Sequence, residues 1–206
     1  YPNYFKQVKS TFEFNQALRF ISSAPLINMF LFFSFTAIGV AGLMSFTVVA
    51  LVSYHGMDEY LASWSTTLHL VGCALGVLIG GWLANCVKHK EFITAVFIAA
   101  MSLCVAGLAI EGIDFWFAFL MMIASGLAYG ISSPSRDILV KKASPEEMTG
   151  LAFGFTSTGF SVGNFVGPVF CGWIMDAGRP EFFFLAIALI IAISIISLIT
   201  ARIRYG

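Results

Sequence analysis

Charge is what this sequence has least of. Asp, Glu, Lys and Arg make up 11% of its 206 residues, where a soluble domain carries about 25%. The 11 acidic and 11 basic residues leave six windows with no charge at all: 20–57, 60–87, 92–110, 115–135, 148–175 and 182–201. These windows hold 154 of the 206 residues. That scarcity excludes a soluble enzyme, a nucleic-acid binder and a disordered chain. Catalytic constellations are missing too. The four cysteines, Cys73, Cys86, Cys104 and Cys171, form no C-x-x-C pair, so neither a metal site nor a disulfide framework is implied, and no cofactor is expected. There is no H-E-x-x-H run, no histidine follows His89, and Gly130-Ile131-Ser132-Ser133 is a poor match to the Gly-x-Ser-Gly turn of an intramembrane serine protease. An enzyme is not expected. A non-transporting membrane scaffold remains a competing class.

What is present is apolar length. Roughly 20 apolar residues in a helix cover the ~30 Å hydrocarbon core. Each charge-free window reaches that length or falls within a residue of it, and mean hydropathy is +0.90. The windows are continuously apolar, as in 185–196, and do not alternate as barrel strands would. The expectation is an all-α membrane protein with six transmembrane helices.

The loops orient it. Lys6, Lys9 and Arg19 precede the first span; Lys88 and Lys90 follow the second; Arg136, Lys141 and Lys142 follow the fourth; Arg202 and Arg204 follow the sixth. The intervening loops hold only Arg179, so alternate sides carry 10 and 1 basic residues. The basic side is cytoplasmic by the positive-inside rule, which puts both ends of the chain inside a cell (inner or plasma) membrane. Residues 1–24 read as a cytoplasmic lead-in, with Phe12, Phe14, Leu18 and Ile21 suiting an interfacial helix, and 25–206 as the bundle, opened by Pro25. Part of the 38-residue first window lies outside the membrane. Ser144-Pro145-Glu146-Glu147 reads as a capping box that starts the fifth helix near 145. Because the chain opens at Tyr1, a longer protein is expected.

An internal repeat is the most informative pattern. Gly72, Gly76 and Gly80 recur as Gly159, Gly163 and Gly167, offset by 87 each time. Glycines four apart make a flat helix face for close packing. Gly81-Trp82-Leu83-Ala84-Asn85 and Gly172-Trp173-Ile174-Met175-Asp176 follow them, and then Glu91-Phe92 and Glu181-Phe182. Spans one to three therefore resemble spans four to six. Three is odd, so the two triplets lie in the membrane with opposite orientation, a 3+3 inverted repeat of the kind transporters use.

With these features the sequence resembles one half of a major facilitator superfamily transporter. The run Ser133-Pro134-Ser135-Arg136-Asp137, with Gly150 and Phe153-Gly154-Phe155 after it, is similar to the tenth-to-eleventh helix region of bacterial members. The resemblance covers essentially the whole chain and implies the carboxy-terminal half, helices seven to twelve, with the amino-terminal six-helix half as partner. The family's cytoplasmic loop motif matches at Gly81 and Lys90 and departs at Asn85, Cys86 and Lys88. Its antiporter helix motif matches at Gly154, Gly163, Gly167, Pro168 and Gly172, with Cys171 in place of a glycine, but on the eleventh helix, where it does not imply antiport. Pro168 removes the hydrogen bond to the Asn164 carbonyl and makes that helix kinkable.

The function implied is secondary active transport of a small organic solute by alternating access. No Asp, Glu, Lys or Arg lies within a charge-free span, and His69 is the ionisable group well inside one. It reads either as a packed neutral histidine bonded to a Ser or Thr, or as cavity lining. Thr36, Ser45, Ser125, Tyr129, Ser157, Ser161 and Asn164 are the other mid-span polar groups, and the resemblance places them on cavity-lining helices. The favoured contacts to a neutral or partly apolar solute are His69, Tyr129, Ser161 and Asn164, with Thr36 beside them. A small organic anion reached by Arg136 is the alternative, against Arg136 and Asp137 as a structural pair near the membrane surface.

Overall fold

The computed structural model describes residues 14–203. Expectations that rest on Lys6, Lys9, Phe12 and Arg204 lie outside them. The described chain is all helical: α1 (Phe14–Ile21), α2 (Ala24–His55), α3 (Glu59–Cys86), α4 (Lys90–Gly107), α5 (Phe115–Lys142), α6 (Thr149–Asp176) and α7 (Phe183–Ile203), with 3-10 turns at Glu146–Met148 and Pro180–Phe182. Among the described residues, five stretches are long and apolar enough to cross a membrane: α2, α3, α4, α5 and Pro180–Thr200. The sixth expected span, α6, is not among them. α6 has 28 residues but falls short in apolarity. Gly154, Gly159, Gly163, Gly167, five hydroxyl residues between Thr149 and Ser161, and Asn164 dilute it.

Helix ends follow local chemistry. Ser23 precedes α2, and Pro25 sits in its first turn, where a missing N–H costs nothing. At the far end Gly56 adopts φ 65°, its N–H bonding Val52 O while Met57 N–H bonds Leu51 O. That closure turns the chain through a left-handed residue, hence glycine. Asp58 and Asp114 cap α3 and α5, their Oδ1 atoms accepting from Tyr60 N–H at 2.9 Å and Phe117 N–H at 3.0 Å. The capping box expected at Ser144 does not form. Ser144 Oγ instead donates to Val140 O and Lys141 O at the end of α5, and a 3-10 turn delays α6 to Thr149.

The packing repeats across the chain. α3 packs along α5, and α2 along α6. α2 also packs on α7, α4 on α5, and α4 on α7. Exchanging α2, α3, α4 for α5, α6, α7 leaves this set of neighbours unchanged. The glycines show why. A Cβ on Gly72, Gly76 or Gly80 would strike the carbonyl oxygens of Ile123, Leu127 and Ile131. A Cβ on Gly159, Gly163 or Gly167 would strike those of Phe30, Ser34 and Ile38. Both seams advance four residues per step on both helices. Backbone thus meets backbone so closely that any side chain would hold the helices apart. Around the seams Phe32, Leu43, Ile98, Met101, Phe183, Phe184, Ile187 and Ile191 are fully buried. Ser102 Oγ ties α4 to α7 through Ala188 O at 2.8 Å. α5 and α6 stay helical through Pro134 and Pro168.

Candidate functional site

The residues expected to meet a solute divide into three groups. His69 is buried in the α3–α5 seam, one turn before Gly72. Its Nδ1 lies 2.8 Å from Ser125 Oγ, and Ser125 itself donates to Met122 O at 2.8 Å. Ser125 thus links the His69 ring on α3 to the backbone of α5 across the seam. Thr36 is also buried, on α2, and its Oγ1 has no hydrogen-bond partner.

Ser157, Ser161 and Asn164 form the second group, an exposed polar ridge on α6, on the opposite side from the buried glycine stripe. Ser161 Oγ donates to Ser157 O at 3.1 Å. Most hydroxyls here do the same, donating to a carbonyl one turn back, as Thr47 does to Leu43 and Thr94 to Lys90. Asn164 has an amide that a helix backbone cannot fully satisfy, so this ridge offers polar groups to whatever covers it.

The third group surrounds Arg136. Sequence reasoning placed this residue near the membrane surface, outside the charge-free window. It lies within α5, and its side chain retains 12% exposure. The guanidinium carbon is 4.6 Å from the Phe33 ring centre on α2 and 5.9 Å from that of Tyr129 on α5. Nε is 3.3 Å from Asp137 Oδ1, and Nη1 is buried without a hydrogen-bond partner. The cause is helix geometry. Cα–Cβ bonds tilt toward the helix N-terminus, so a long side chain near the end of α5 leans back along the helix toward Tyr129. Lys90 shows the converse. At the start of α4 its side chain leans off the helix end, and Nζ donates to Ala84 O and Val87 O, satisfying the end of α3.

The motif glycines separate by role. Gly163 and Gly167 lie in the α2–α6 seam, and Gly172 faces Phe46, whereas Gly81 and Gly154 have no neighbour where a Cβ would go. Asn85 is exposed. Sequence reasoning missed the far-side tie, in which Tyr54 Oη donates to Ala109 O at 3.2 Å and His55 Nε2 meets Leu108 O at 2.9 Å. Only the aromatic pair at the end of a span hinted at it.

Long apolar helices in glycine-lined seams, with large apolar side chains such as Leu78 and Phe165 about three-quarters exposed (74% and 75%), define a multi-pass helical membrane protein. A family model described as Major Facilitator Superfamily matches residues 27–204. The chain belongs to that superfamily, a family of transporters. Among solved structures it is similar to a peptide transporter POT in complex with sulfate, at TM-score 0.78 and 19% identity, over 86% of this chain and 37% of that one. It is also similar to a structure of proton dependent oligopeptide transporters (TM-score 0.71, 18% identity, 89% and 42% covered) and to tetrameric PepTSo2 (0.70, 17%, 87% and 40%). These likenesses concern the fold. The chain spans about two fifths of the length of those transporters. No curated protein matches it.

Proposed function

We propose that this chain is the carboxy-terminal six-helix half of a secondary transporter that moves a small organic solute by alternating access. In this reading α6 crosses the membrane with the five more apolar stretches, both ends of the chain are cytoplasmic, and the amino-terminal half covers the ridge of Ser157, Ser161 and Asn164. The observation that carries it is the duplicated seam: three glycines beneath three carbonyls, twice, on helix triplets that exchange without changing their neighbours. Two inverted copies of one unit supply two equivalent arrangements around a central site, which alternating access requires. A scaffold has no need of that symmetry.

Tyr129, Ser161 and Asn164 are the contacts favoured for the solute. His69, held by Ser125, sets the seam beside them. The test uses the full-length protein in proteoliposomes, with Cys73, Cys86, Cys104 and Cys171 replaced and Asn164→Cys introduced. A membrane-impermeant thiol reagent should reach position 164 from either face, in proportions that a transported solute shifts. Labelling from one face only, whatever solute is offered, would reject alternating access in favour of the scaffold.

A further inference from the structure

Among the described residues, two Lys or Arg side chains are drawn into the protein, Lys90 and Arg136. Lys90 spends its charge on Ala84 O and Val87 O. Arg136 does not. Asp137 meets Nε at 3.3 Å and is itself 53% exposed, and the Tyr129 side chain also meets the guanidinium, while Nη1 is buried with no hydrogen-bond partner. A guanidinium nitrogen removed from water with no acceptor is costly, and two aromatic faces offset only part of that cost. What is missing is an acceptor for Nη1.

We propose, resting on the transport reading above, that Arg136 is the anchor for a carboxylate on the transported solute. Phe33 and Tyr129 hold the apolar body next to that carboxylate. The rings come from α2 and α5, so the solute would bridge the two triplets. One cation already shared with Asp137 suits a monoanion. A dianion would meet Asp137 with no second positive charge. The planar fork of the guanidinium matches a carboxylate, and a bond between two charged groups is strong where water is excluded.

The test uses purified full-length protein and matched pairs that differ only in charge: phenylacetate and phenylacetamide, 4-methylpentanoate and its amide, N-acetylphenylalanine and its amide. Binding is read as ligand-induced thermal stabilisation at neutral pH. The carboxylate of at least one pair should bind roughly tenfold tighter than its amide. Arg136→Gln should erase that preference, and Arg136→Lys, which keeps the charge without the fork, should retain part of it. Phe33→Leu should weaken both members of a pair alike. No carboxylate preference in the unmodified protein, no binding by any carboxylate, or a preference that survives Arg136→Gln overturns the subsite. If position 164 still labels alternately in that case, transport stands and only the anion subsite falls. If labelling does not alternate, the transport reading fails, and the subsite with it.

Discussion

At the scale of single residues, one rule separates the two buried cations. A side chain leans toward the N-terminus of its helix. Lys90, in the first turn of α4, is thereby thrown onto the carbonyls that end α3, and Arg136, near the last turn of α5, is turned back into the bundle. Both positions were legible in the sequence as basic residues beside a span. The depth of Arg136 was not, because the charge-free window ends at 135 while the helix continues to Lys142. His69 illustrates the other limit. Its bond to Ser125 spans 56 residues, and no local pattern pairs them. A double-mutant cycle on His69→Ala and Ser125→Ala, read by reversible unfolding in detergent, should give a coupling of about 0.6–1 kcal/mol. Strict additivity would mean the 2.8 Å contact contributes nothing. At Gly56, φ 65° makes alanine strained, so Gly56→Ala should destabilise by about 1 kcal/mol. An unchanged melting temperature would show that the end of α2 closes another way.

At the scale of elements, the glycine stripes were the part of the fold most readable in the sequence. Spacing of four and an offset of 87 mark them, and the structure supplies what spacing alone could not, the partner of each stripe. Gly72, Gly76 and Gly80 lie under α5, and Gly159, Gly163 and Gly167 under α2. The start of α6 was misread because Ser144 had two possible uses. Capping the next helix and closing the previous one both engage backbone groups at a helix end, and the carbonyls of Val140 and Lys141 won. The seams give a prediction with an internal control. Gly76→Ala and Gly163→Ala should each lower stability by about 1–3 kcal/mol, since a Cβ there meets a carbonyl that cannot move alone. Gly81→Ala and Gly154→Ala, where nothing lies within 4 Å, should be neutral or stabilising, because alanine is the better helix former. Melting temperatures of the four variants decide it. Equal losses at all four would show that the seams are not closely packed.

At the scale of the whole molecule, the sequence showed the class of protein through its missing charge, and the helical architecture with it. The crossing proposed for α6 is less legible. The glycines that fit it against α2 and the hydroxyls on its exposed side both dilute its apolar signal, so α6 is left out of the stretches apolar enough to cross. The central claim, two inverted triplets, turns on that crossing. The loop between α3 and α4 and the loop between α6 and α7 hold equivalent places in the two triplets. In the full-length protein with its native cysteines replaced, Lys88→Cys and Arg179→Cys should be labelled by an impermeant thiol reagent from opposite faces of the membrane. Lys88→Cys should react from the cytoplasmic face. Labelling of both positions from the same face would mean that α6 does not cross, and would contradict the inverted repeat.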